Sequence, residues 1–208
     1  MSDDEVVFEL MGSARSMRWL KEDPVDPGLV ERVVWAGTRA SSPGNSQGWD
    51  FLVVTSPIVK RRLQQAIAGR WPMAGGGDAA SSAMKLPTDP TDRRTLLGAQ
   101  NVVATMHVAP VIIFVCGANV YPKNAPRIEW AYSAVYAAAQ NMLVAARALG
   151  LGAAFTTFHV MAEPEVREIL EIPDDRFLGV MMPLGWPARA FGPVTRRPLS
   201  EVLHHDRW

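Results

Sequence analysis

With 208 residues, 48% of them apolar, the chain has the size of one domain with a substantial core. Lys+Arg and Asp+Glu balance at 21 each, which argues against a broadly basic surface for nucleic acid or an anionic membrane. Its single cysteine, Cys116, lies in an apolar run and permits neither an intramolecular disulfide nor a cysteine-based metal cluster, as suits a reducing cytoplasm.

The first residues, MSDDEVV, are acidic where a secretion signal is basic. Residues 4–19 are expected to form a helix with Val7, Leu10, Met11 and Ala14 on one face. A second helix is expected over 27–37, where Pro27 suits a first turn and Leu29, Val33, Val34 and Ala36 supply the apolar stripe. The turn SSPGNSQGW (41–49) leads into a strand, FLVVT (51–55), and Pro57 opens a helix to about Gly69. The stretch 70–91 is rich in Gly, Ala, Ser and Pro without a period, which suits a lid over a site or a passive surface loop. Residues 92–106 suit a helix, and VIIFVCGA (111–118) is a fully buried strand because its apolar run has no polar alternation. That run is well short of the ~20 residues of a membrane helix, so a soluble, cytoplasmic protein is expected.

Residues 129–150 form a long helix that Gly150 ends, with Ala, Val, Leu, Met, Trp and Tyr around nearly its whole circumference. Such a helix must be buried all round, so one side is expected to pack against a second subunit; one helix threading a single core is the plainer alternative. Strands at 153–158 and 177–185 flank a short helix from Pro164 to Leu170. The mixture, without repeats, predicts one three-layer α+β domain over 1–208.

There is no GxGxxG after a strand, no Walker loop, no HExxH, no zinc spacing and no GxSxG. His204, His205 and Asp206 suit a solvated or dimer-contact tail better than a metal site, and His107 and His159 suit structural roles. Without a side-chain machine, a bound cofactor would carry any reaction. Arg15 and Arg18, three apart with Ser16 between them, suit a phosphate monoester if helical, although a solvated basic face has the same pattern. Asn45 carries a donor and an acceptor that match the edge of a flavin's pyrimidine ring, although an ordinary Asn turn also fits. Arg196 and Arg197, after a Gly-Pro turn, offer a second basic clamp.

In chain order these stretches resemble the FMN-dependent nitroreductase family: RSMR then DPV, TRASSPGNSQGWDFLVV, AAAQNMLVAARALGLGAAF, and PLGWPARAFGPVTRRPLSEV. The match covers most of the chain outside about 70–107. Departures are Ala14 where a second arginine is common, Ser-Ser-Pro for the usual Pro-Ser order, and Gly48 where proline is usual. The closing HHDRW resembles an actinobacterial branch. The resemblance implies a three-layer α/β/α fold with a mostly antiparallel sheet, and an intertwined homodimer with two FMN sites built from both chains. It also implies hydride passage from NAD(P)H to nitroaromatics or quinones in ping-pong fashion. Cofactor contacts implied are Arg15, Ser16, Met17, Arg18, Pro43, Gly44, Asn45, Gln47, Phe155, Thr156, Thr157, Arg196 and Arg197, with Trp71 and Met73 on the substrate side and the 70–107 segment as a variable lid. No catalytic side chain is expected, because the flavin carries the chemistry. The same fold would serve a specialised flavin dehydrogenase or dehalogenase, a reductase linked to the deazaflavin F420, or a non-enzymatic flavin store.

Overall fold

The fold is organised around the strand Val111–Gly117 (β2), which is buried along its whole length. In the computed structural model, which describes residues 2–71 and 87–208, it pairs antiparallel with Trp49–Val54 (β1) on one side and Phe177–Gly185 (β4) on the other. Gly152–Ala153 (β3) adds antiparallel to β4, giving the order β1-β2-β4-β3. Alternate side chains of a strand face opposite ways. Val111, Ile113 and Val115 therefore meet one helical layer, and Ile112, Phe114 and Cys116 the other. The first layer holds Pro27–Gly37 (α2) and Ile128–Ala148 (α5); the second holds Pro57–Arg70 (α3), Pro90–Thr105 (α4) and Glu163–Leu170 (α6). The expected three-layer α+β domain is therefore present, and within it burial pushes the Cys116 thiol up to about 11.

A bulge keeps both faces of β4 apolar. Val115 pairs with Val180 but Cys116 pairs with Leu178, so Gly179 is the extra residue and the side-chain parity flips across it. Glycine is needed there because a Cβ would lie 2.4 Å from Val135 Cγ1 on α5.

Three helices start on the same local signal, a capping residue followed by proline: Asp26-Pro27, Ser56-Pro57 and Asp89-Pro90. The Asp89 carboxylate, for example, accepts from the Thr91 and Asp92 N–H groups at 2.8 and 2.9 Å. α5 ends as expected at Gly150, whose N–H bonds the Arg147 carbonyl.

Two expectations need correction. The first helix, Asp3–Ser13 (α1), stops well before residue 19. Its last residue, Ser13, turns its hydroxyl back onto the Glu9 carbonyl, and Ala14 is extended. From there the chain leaves to pair with the sheet edge, Met17 N–H donating to Ala153 O at 2.8 Å. Of its expected apolar face, Ala14 is buried while Val7 and Met11 are exposed, as is Phe8 beside them. The strand expected at 153–158 is regular only at Gly152–Ala153, and continues as one bridge from Thr156 to Met181. Pro183 explains the break: it accepts from Ala154 N–H at 3.0 Å but has no N–H to return. α5, expected to be covered all round, buries one face within the chain (Val135, Ala138, Met142, Ala146) and leaves Ile128, Trp130 and Tyr136 open.

Candidate functional site

The segment after α1 does not form the helical face that would align Arg15 with Arg18; it brings them together another way. Ala14, where the backbone is extended, and Met17 are buried, Met17 packing against Gly152, while Arg15 is exposed and Arg18 half-buried. Ser16 staples this segment to the next: its Oγ accepts from Phe155 N–H at 3.1 Å and donates to Phe155 O at 3.3 Å. Arg18 is held at its backbone by Asn101, whose Nδ2 donates to Arg18 O at 2.6 Å. Its side chain lies across Gly98 on α4, where a Cβ would come within 2.6 Å of Arg18 Cδ.

The C-terminal segment returns over the same place. Ala188 N–H donates to Trp19 O at 2.9 Å, and the Arg189 guanidinium lies 3.5 Å from the centre of the Trp19 ring. Further on, Val194 N–H donates to Gly12 O at 2.9 Å, which carries Thr195 and Arg196 in beside α1. Arg147 of α5 anchors this return: it pairs with Glu9 at 2.7 Å, donates to Ser13 Oγ at 2.9 Å and lies 4.6 Å over the Phe191 ring.

Together these elements enclose an open cleft of about 910 Å³. Arg15, Arg18, Arg94, Arg189 and Arg196 line it, with Ser16, Thr91 and Thr95, and with Leu143 and Phe155 as apolar wall. Among the described residues no Asp or Glu lines it, and none of the five arginines forms an ion pair. Burial, and then the charge of Arg15, hold the Arg18 guanidinium below its ordinary pKa, the mark of a cation without a counter-charge.

Five residues expected to contact a cofactor thus meet in the cleft: Arg15, Ser16, Arg18, Phe155 and Arg196. The others lie elsewhere. Met17 is core, and Arg197 is exposed outside the lining. Thr156 is buried with its hydroxyl donating to Met181 O at 3.2 Å, while Thr157 is exposed at the start of a 3-10 turn. Pro43, Gly44, Asn45 and Gln47 form a separate turn beside Tyr121, tied down where Ala118 N–H donates to Gly48 O at 2.8 Å. Asn45 and Gln47 are exposed there, with φ of 50° and 46°, and do not reach the cleft of their own chain. Trp71 packs edge-on against Phe158 at 5.1 Å, also outside the cleft. Met73 and the rest of 72–86 in the expected 70–107 lid lie outside the described residues, whereas Pro90–Thr105 of it is α4. Sequence reasoning missed Arg94 and Arg189. The signals were the threonines around TDRRT and an arginine close to aromatics in WPARAF.

His159 is structural as expected, fully buried with Nε2 on the Leu178 carbonyl, and His204 stacks on Trp208 in the exposed tail. Among the described residues no cluster of ligating side chains suits a metal, and no helix is long and apolar enough to cross a membrane.

The family model "Nitroreductase family" matches residues 12–186, which spans β1 to β4 and the cleft residues from Ala14 to Phe155. The chain belongs to the nitroreductase family. Within that oxidoreductase family it is 28% identical over 196 residues to a Thermus thermophilus protein named NADH dehydrogenase, covering 91% of this chain and 90% of that one. It is 27% identical over 218 residues to a Staphylococcus epidermidis NADPH-dependent oxidoreductase, covering 100% of this chain and 75% of that one. The fold matches a nitroreductase from Desulfitobacterium hafniense solved with bound FMN, with a TM-score of 0.72, 17% identity, and 99% and 100% of the two chains covered.

Proposed function

We propose that this nitroreductase-family chain is an FMN-dependent oxidoreductase that carries reducing equivalents from NAD(P)H to electron-poor acceptors such as nitroaromatics or quinones. The observation that carries the reading is the cleft in which Arg15, Arg18 and Arg196 stand without a carboxylate beside an apolar wall of Leu143 and Phe155. A phosphate monoester brings about −1.5 to −2 charge, which three guanidiniums match. The volume lies within the several-hundred-Å³ range of small-molecule sites. FMN has this pairing of a phosphate with a flat ring, so the residues present fit it. When bound, it supplies the hydride exchange that no side chain in the cleft performs.

The protein's own part is binding and orientation. Arg18 is fixed from behind by Asn101, and Ser16 sets the position of Phe155 at the ring end. The amide turn at 43–47 does not line its own cleft, so in this reading it completes the cleft of a second copy, and the active species is a homodimer. The uncovered residues of α1 and α5 (Phe8, Met11, Trp130, Tyr136) support that assembly.

The test is the visible spectrum of purified, dialysed protein, followed by FMN release on denaturation, NADPH oxidation with a nitroaromatic, and light scattering. Flavin bands, turnover and twice the 22.8 kDa chain mass are expected. A colourless protein that refuses added FMN would sink the cofactor assignment, and a flavin-loaded dimer without turnover would sink the reductase.

A further inference from the structure

The cleft holds more positive charge than one phosphate accounts for. Five arginines line it, and among the described residues no carboxylate does. With about −1.5 to −2 charge on a flavin phosphate, an excess of roughly three positive charges stays in this open cleft, moderated by solvent because Arg15, Arg94, Arg189 and Arg196 are exposed.

Placement divides the five. Arg15 and Arg18 crowd one another on the segment after α1, and Arg196 enters beside α1 through the bond from Val194 to Gly12, so the FMN reading gives these three to the phosphate. Arg94 and Arg189 stand on separate supports. Positions 91, 94, 95 and 98 share one face of α4, so Thr91, Arg94 and Thr95 form a row leading towards Gly98, where Arg18 lies. Arg94 Nη2 donates to Thr91 Oγ1 at 3.3 Å, which orients the guanidinium along the helix. The Arg189 guanidinium carbon sits over Trp19, 3.5 Å from the ring centre, and its N–H groups remain available to bond an oxyanion. Apart from the one bond from Arg94 to Thr91, among the described residues no acceptor meets these two guanidiniums, since the acidic cap of α4, Asp89, is already spent on the Thr91 and Asp92 backbone.

We propose that Arg94 and Arg189, with Thr91 and Thr95, form a second oxyanion subsite, which grips a carboxylate or phosphate on the small molecule that exchanges electrons in this cleft. The proposal rests on the FMN reading, which assigns the other three arginines. The anion belongs either to the acceptor or to the ribose phosphate of the reductant, and the chemistry of the grip is the same.

The experiment titrates the FMN-loaded protein at equilibrium, following the flavin absorbance, with two matched pairs. 4-Nitrobenzoate against 4-nitrobenzyl alcohol tests the acceptor; adenosine 2′,5′-bisphosphate against adenosine 5′-phosphate tests the reductant. The more anionic member of one pair is expected to bind roughly tenfold tighter, with the preference shrinking as salt rises. Arg94→Gln and Arg189→Gln should each remove most of that preference. Arg93→Gln, an exposed neighbour outside the cleft, should keep it. The pair that responds identifies the source of the anion. Equal affinity within both pairs for the parent protein overturns the proposal. So does an FMN dissociation constant that rises tenfold in Arg94→Gln or Arg189→Gln, because those arginines would then belong to the flavin phosphate. Failure of the FMN reading has a different signature, no flavin bands at all, and the proposal falls with it.

Discussion

Gly98→Ala separates what the cleft needs from what the helix needs. Gly98 sits inside α4, where alanine is favoured over glycine by about 0.5–1 kcal/mol of helix propensity. The new methyl, however, would lie 2.6 Å from Arg18 Cδ and 3.4 Å from Nε and Nη1. Arg18 is a long, half-buried side chain with its backbone fixed by Asn101, so it yields by rotating its guanidinium out of the cleft. The cost of that shift falls near the lower end of the ~1–3 kcal/mol typical of overpacking, and it nearly cancels the propensity gain. The FMN-free variant should therefore unfold within about 1 kcal/mol of the parent. Its FMN affinity should fall by roughly ten- to a hundredfold, the worth of one charge-assisted hydrogen bond of about 1.5–3 kcal/mol. Calorimetry of apoprotein reads the first quantity, and fluorescence quenching of FMN the second. Arg18→Ala should lose a similar amount, and the double variant should lose no more than Arg18→Ala alone, because the two changes remove one interaction. If Gly98→Ala binds FMN as tightly as the parent, or if the double variant is additive, then Arg18 is not a phosphate contact and the assignment of the cleft is wrong.

Two further outcomes follow from the packing. Gly179→Ala places a methyl 2.4 Å from Val135 Cγ1 and 3.1 Å from the Val115 carbonyl, so chemical denaturation should show a loss of about 1–3 kcal/mol; combining it with Val135→Ala should recover part of that loss, and full stability in Gly179→Ala alone would refute the bulge. Burial holds the His159 imidazole below its ordinary pKa, against the smaller opposing pulls of the Leu178 carbonyl and Glu163, and His107 is shifted the same way by burial, Arg61 and Lys60. A histidine with a lowered folded pKa leaves the unfolded chain binding the extra proton, so stability should fall as pH drops from 7 through about 6.5 and below. Denaturation midpoints at pH 7.5 and 5.5 check this, and a slope unchanged in His159→Asn would exclude His159 as a cause.

Features written locally were legible in the sequence. The cap-proline pairs before α2, α3 and α4, the all-apolar β2 and the glycine after α5 are each decided by neighbours in the chain. Where a distant partner decides, the local pattern misled. α1 carries helical periodicity past Ser13, but the bond from Met17 to Ala153 draws the chain out onto the sheet. The apolar run after β3 looks like a longer strand, yet Pro183 on its partner withholds a donor. The cleft divides the same way. Arg15, Ser16, Arg18 and Arg196 belong to short recognisable stretches. Arg189 acquires its aim only from stacking on Trp19, near the other end of the chain, and Arg94 lies in the expected helix, where only the packing of distant segments decides that its face lines the cleft.

The turn at 43–47 is the feature whose sequence and placement are hardest to reconcile in one chain, and the proposed dimer resolves them. Positive φ at Gly44, Asn45 and Gln47 presents two amides outward, and the loop is fixed by Tyr121 and Ala118 rather than left free. A fixed, outward-facing, amide-bearing turn suits a surface that another molecule meets. If that molecule is a second copy, each cleft is assembled from two chains, and anything that binds only the assembled cleft also stabilises the assembly by mass action. Cofactor affinity and dimerisation are then one linked equilibrium. A weakened arginine grip would appear both as lost FMN and as looser association, whereas a defect in the core, such as that at Gly179, would lower stability first and reach the cofactor only through it.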